Sequence, residues 1–109
     1  MAYDEALADR VRELMIARPE LTERKMFGGI GFMVAGNMAV GVIEEDLIVR
    51  LDPGDAEKAL AEEGVREFDF TGRPMKGWVF VGPERTTEDP DLAEWVEAGA
   101  DYAASLPEK

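Results

Sequence analysis

Apolar residues recur at helical spacing in the first part of the chain, at Leu7, Val11, Leu14 and Met15, with charged residues between them. With Asp4 as a capping residue and Pro19 as a stop, that period predicts a helix over about 4–17. Residues 25–51 then read as strands, with Gly36-Asn37 as a two-residue hairpin signal between two apolar runs. A turn that tight sets Val34 opposite Ala39, Phe32 opposite Gly41 and Ile30 opposite Ile43, so that Phe32 lies over a glycine. The other face then carries Gly31, Met33, Ala35, Met38, Val40 and Val42. Both faces are apolar, which predicts that both are at least partly covered.

A third strand, Leu47 to Leu51, follows the acidic turn Glu44-Glu45-Asp46, with Leu47, Val49 and Leu51 inward and Arg50 outward. Asp52-Pro53-Gly54-Asp55 has the capping acid and first-turn proline of a helix start, and Gly64 is the expected end of that short helix. Residues 66–70 and 78–82 read as two more strands, joined by Thr71-Gly72-Arg73-Pro74-Met75-Lys76-Gly77. Asp89-Pro90 opens a last helix whose buried stripe runs through Leu92, Trp95, Val96, Gly99, Tyr102, Ala103 and Leu106. The predicted fold is α+β, a two-layer antiparallel sheet with helices in the order α-β-β-β-α-β-β-α, as a single domain over 1–109.

Composition changes this picture mainly by what it removes. The 109 residues hold no His and no Cys, and Ser105 is the one serine. Nucleophilic catalysis usually pairs Ser, Cys or Thr with a base, most often His, and zinc favours Cys and His ligands. The expectation is a non-enzymatic protein with no cofactor and no metal. An enzyme using only carboxylates or lysine is the remote alternative. The net charge is −12, and residues 86–109 hold seven acids against one base. Phosphate contacts need Lys and Arg, so direct nucleic-acid binding is disfavoured. No apolar run approaches the ~20 residues of a membrane helix, and the acidic N-terminus does not resemble a secretory signal. A cytoplasmic location is expected.

Gly28-Gly29-Ile30-Gly31 invites a phosphate-loop reading, but a strand follows it where a helix N-terminus is needed, so a turn with close backbone approach is preferred. Glu67 with Asp69, and the acids at 44–46 and 88–91, are better explained as solvated strand face, turn and cap residues than as catalytic or cation sites. Met26, Met33, Met38 and Met75 could make an adaptable docking surface, though core filling is the simpler reading. The most distinctive stretch is Phe70 to Trp78, where Arg73 and Lys76 stand beside Met75 and Trp78. Arg and aromatic residues are enriched at interface hot spots. A core Trp78 with merely solvated cations is an equally open reading.

These segments resemble the N-terminal domain of the TfoX family, named for bacterial competence regulators. The resemblance is carried by Met26-Phe27-Gly28-Gly29, Gly36-Asn37-Met38, the run from Phe70 to Trp78, Trp95-Val96 with Gly99, and Ala104-Ser105-Leu106-Pro107. It implies a two-layer α+β fold similar in outline to secretion-chaperone-like folds, and a bacterial cytoplasmic protein. Regulators of this family are thought to promote competence-gene transcription with a partner transcription factor. The resemblance brings no catalytic residues with it. Many relatives carry a Cys near the position of Val40, so no thiol role is expected there. Competence regulators of this type usually carry a second, C-terminal domain, whereas this sequence ends at Lys109, so a stand-alone domain is expected.

The leading expectation is a protein-interaction module that works through a protein partner, with transcription machinery as the candidate. Its expected contact surface comprises Lys25, Arg50, Arg73, Met75, Lys76 and Trp78. The alternative is a small-molecule or anion sensor, with Lys25, Arg50, Arg73 and Lys76 converging on a ligand. The two-sided apolar sheet also allows a homodimer.

Overall fold

In a computed structural model of the chain, Asp4 opens the first helix, α1 (Glu5–Met15), by accepting hydrogen bonds from the backbone N–H groups of Ala6 at 2.9 Å and Leu7 at 3.1 Å. The structure describes residues 3–26, 28–69, 72 and 75–107. Leu7, Ala8, Val11 and Met15 form the buried stripe of α1, while Leu14 lies on its exposed side.

Four strands follow: β1 (Leu21–Met26), β2 (Gly29–Val34), β3 (Asn37–Ile43) and β4 (Asp46–Arg50). After α2 (Pro53–Ala59) come β5 (Val65–Glu67) and β6 (Trp78–Val81), a short 3₁₀ turn at Pro83–Arg85, and α3 (Asp89–Ser105). The predicted order holds, with one strand, β1, added before the other three. The six strands make one sheet in the order β1-β2-β3-β4-β6-β5, and every neighbouring pair is antiparallel.

The β2–β3 hairpin differs from the sequence expectation in register. Its turn residues are Ala35 (φ 51°) and Gly36 (φ 84°), and Asn37 is already the first residue of β3, opposite Val34. Two consecutive residues with positive φ match the twist of the flanking strands. A bulge at Ala39 then shifts the pairing, so Phe32 faces Val40 and Gly31 faces Gly41. Phe32 therefore does not lie over a glycine. The extra residue moves Val40 and Val42 onto the face of Phe32 and puts Gly41 and Ile43 on the face of Gly31, where Met38 lies as expected. Ala39 is fully buried, and α3 crosses it so closely that a Cβ on Gly99 would stand 2.6 Å from the Ala39 carbonyl oxygen.

Asp52 caps α2 through Gly54 N–H at 2.9 Å, with Pro53 in the first turn as expected. The helix ends at Ala59, before Gly64; that glycine, at φ 84°, instead shapes the turn into β5. All three helices pack on one sheet face, over Phe32, Val40, Val42, Leu47, Val49, Val79 and Val81. Leu92, Val96, Gly99, Ala100 and Ala103 are the buried residues of α3, with Trp95 packed against the core from its rim. At the far end of α3, the 2%-exposed Asn37 donates from Nδ2 to the Pro107 carbonyl at 2.9 Å.

Arg12 of α1 clamps β1 by donating to Glu23 from Nε at 2.7 Å and from the guanidinium end at 2.8 Å, while its charge lies 5.8 Å from the Phe32 ring centre. Hydrogen bonds from Arg12 hold the Glu23 carboxyl below its ordinary range, against the opposing effect of burial.

Candidate binding site

Among the described residues, no helix lies on the second sheet face. A separate apolar cluster forms there from Ile43, Ile48, Phe68 and Phe80, with Met38 and Trp78 at its margin. Phe68, just after β5, and Met75, just before β6, lie against this face. Phe68 folds back over the sheet, its ring centre 4.9 Å from that of Phe80 and 5.8 Å from that of Trp78. These residues are held in place by backbone bonds. Met75 N–H donates to the Phe68 carbonyl at 3.1 Å, and Leu51 N–H donates to the Gly77 carbonyl at 2.6 Å. Gly77 has φ 86°, and a Cβ there would stand 2.9 Å from the Leu51 carbonyl oxygen, so glycine is needed on both counts.

Between them and the sheet lies an apolar cavity of about 220 Å³. Met26, Met38, Ile43 and Ile48 line it from the sheet, with Phe68, Met75 and Trp78 on its other side. Beneath the Met26 and Met38 ends lies the cross-strand pair Gly31 and Gly41. A Cβ on Gly31 would stand 3.2 Å from the Met26 methyl and 3.4 Å from that of Met38. One on Gly41 would stand 2.7 Å from the Met38 methyl. The methionine ends thus fold into room that the two missing side chains leave. Gly28 (φ 78°) turns the chain between β1 and β2, and Gly29 lies against Val42, with its own Cβ position 2.3 Å from the Val42 carbonyl oxygen. The glycine run is therefore backbone geometry, as its sequence context predicts.

Arg50 stands at the end of β4, paired in register with Trp78. Its guanidinium carbon lies 5.1 Å from the Trp78 ring centre and 5.8 Å from that of Tyr102. Arg10, Arg12, Arg18, Arg66 and Arg85 each meet a carboxylate. Arg50 meets aromatic rings and, among the described residues, no carboxylate. On the α2 side of the Met75–Trp78 turn is a more open cleft of about 360 Å³ whose walls include Glu57, Glu67 and Lys76.

The sequence-predicted surface is thus brought together in part. Arg50, Met75, Lys76 and Trp78 converge at one end of the sheet, with Met75 40% exposed. Lys25 does not join them. It lies exposed on the edge strand β1, and the strand alternation turns it to the face opposite Met26. Arg73 lies outside the described residues. Tyr102, which completes the stack on Arg50, appears in the sequence only as part of a helical stripe. Nothing in its spacing marks it as a cation partner. Among the described residues, the acids at 44–46 and 88–91 form no group of three placed to hold a metal ion, and Asp46 bonds Arg66 at 2.8 Å. No helix is long and apolar enough to cross a membrane among those residues.

A helix-covered antiparallel sheet whose other face holds an apolar cavity beside Phe68, Met75 and Trp78 defines a two-layer α+β domain. The sequence matches the TfoX N-terminal domain over residues 13–103, most of the chain, and the protein belongs to that family. No curated protein and no solved structure matches it.

Proposed function

We propose that this domain is a non-enzymatic regulatory module that acts by binding a protein partner, with the bacterial transcription machinery as the candidate. Family membership supports the regulatory reading. The observation that carries the binding reading is the Arg50–Trp78–Tyr102 stack beside Met75 and Lys76. A cation shielded by rings and, among the described residues, not paired with a carboxylate is available to a partner's acidic group, and Trp, Tyr and Arg are the side chains on which interface energy concentrates. The domain works in the cytoplasm in this reading. Its net charge of −12 makes a protein partner a better fit than nucleic acid.

The test is quantitative co-purification of tagged protein from its host, comparing wild type with Arg50→Gln/Lys76→Glu, alongside competence-gene transcript levels in a strain lacking the gene. The expected result is recovery of RNA polymerase or a transcription factor by wild type, its loss with the folded double variant, and lower transcripts in the deletion strain. Equal recovery by both proteins overturns the assigned surface. Unchanged transcripts overturn the regulatory role.

A further inference from the structure

We infer that the cavity on the second sheet face is a binding site for a small, neutral aromatic molecule of about two fused rings. The inference does not rest on the partner-binding reading: the cavity shares Met75 and Trp78 with that surface, but Arg50, Lys76 and Tyr102 do not line it.

Size comes first. An apolar cavity of about 150 Å³ is enough to bind benzene. The cavity here, at about 220 Å³, has room for one further ring. Chemistry comes next. The lining is apolar, and Lys25, Arg50 and Lys76 are not part of it. Among the described residues, none gives a carboxylate or phosphate a counter-charge there, so Lys25, Arg50 and Lys76 do not make this cavity the anion sensor weighed from sequence.

The walls favour an aromatic guest over an aliphatic one. Phe68 and Trp78 offer ring faces and edges, and three methionines, Met26, Met38 and Met75, bring thioethers to the same space. Methionine is also the side chain best able to repack around a guest. The paired glycines then have a purpose that strand stability does not give them. Gly31 and Gly41 sit side by side in the middle of neighbouring strands, where glycine weakens a sheet, and the room they leave is taken by the ends of Met26 and Met38, which gives those side chains space to repack. Met75, exposed at the rim, is the natural point of entry.

The experiment labels the methionine methyl groups with ¹³C and titrates the protein with indole, then with indole-3-carboxylate. Indole is expected to shift the Met26, Met38 and Met75 methyl signals saturably, leaving Met15, buried in the helix-covered core, in place. The carboxylate is expected to bind at least about tenfold more weakly. Gly31→Leu grows a side chain beneath Met26 and Met38, pushes their ends into the cavity and should weaken indole by about tenfold or more. Only the flexible Met26 and Met38 ends lie near the new Cβ, and Gly31 lacks a positive φ, so the strand can accept it. Should that variant not fold, Met38→Phe fills the same space from the wall. No methyl shift up to the solubility of indole overturns the inference. So does carboxylate binding as tight as indole, or unchanged affinity in a folded filling variant. Methyl shifts that depend on protein concentration without any probe would also overturn it, by showing a second copy of the chain on this face.

Discussion

Gly99→Ala pits two effects against each other within one methyl group. In an exposed helix interior, replacing glycine with alanine stabilises by about 1 kcal/mol. Gly99 is buried on α3, and the new Cβ would stand 2.6 Å from the Ala39 carbonyl oxygen and 2.8 Å from Val40 Cγ1. The first of these is backbone and cannot rotate away. Relief requires α3 to lift from the bulge of β3 by several tenths of an ångström, and overpacking of this kind costs about 1–3 kcal/mol. With a fixed backbone atom in the contact, the upper half of that range applies, leaving a net loss of about 1–2 kcal/mol. For a domain near this size each kcal/mol lowers Tm by about 4–8 °C. Urea denaturation followed by circular dichroism measures the loss directly, with Ala98→Gly as the calibrating change on the exposed side of the same turn. That control should lose about 1 kcal/mol, so glycine is favoured at 99 and alanine at 98. A Gly99→Ala protein as stable as wild type, or more so, would refute the close approach of α3 to Ala39.

Phe32→Ala, at a fully buried ring facing Val40 across the strands, should cost about 3–5 kcal/mol in the same assay. Asn37→Ala should cost about 1–3 kcal/mol by leaving the Pro107 carbonyl without its donor, and amide exchange should quicken in the last turn of α3. Glu23 is held below its ordinary value in the folded protein, so it stabilises the fold above the unfolded pKa, and that contribution is lost as pH falls through the folded pKa. Glu23→Gln should therefore flatten the acid side of a Tm-against-pH curve, by less than about 1 kcal/mol because the pair is one-third exposed.

Most elements are legible in the sequence because their signals are local. Asp4 and Asp52 cap helices, Pro53 fills a first turn, and Leu92, Val96, Gly99 and Ala103 repeat at helical spacing. β1 is not legible. Leu-Thr-Glu-Arg-Lys-Met has the polar character of an edge strand, and it is held by its ladder to β2 and by the clamp from Arg12, both made with other elements. The register of β3 is missed for a sharper reason. Gly36-Asn37 is a familiar turn pair, but here Ala35 takes the left-handed position, and Asn37 is pulled into the strand by a bond to Pro107, 70 residues away. The bulge that follows is invisible to periodicity, since Ala39, Val40 and Gly41 are all acceptable on either face. The same slip conceals the cavity, because Ile43 joins Met38 on that face only in the true register. In the candidate surface, the run from Met75 to Trp78 is found from its composition, and Arg50 from its outward position in β4. Tyr102 and the separation of Lys25 depend on long-range geometry alone.

The order of parts along the chain has a consequence during synthesis. β2, β3 and β4 leave the ribosome well before α3, the 17-residue helix that covers them. Until α3 docks, the inward side chains of those strands, Phe32, Val40 and Val49 among them, have only α1 and α2 to shield them. The nascent domain therefore presents a sticky sheet to the cell while its closing helix is still being made, and holdase chaperones would meet it in that window.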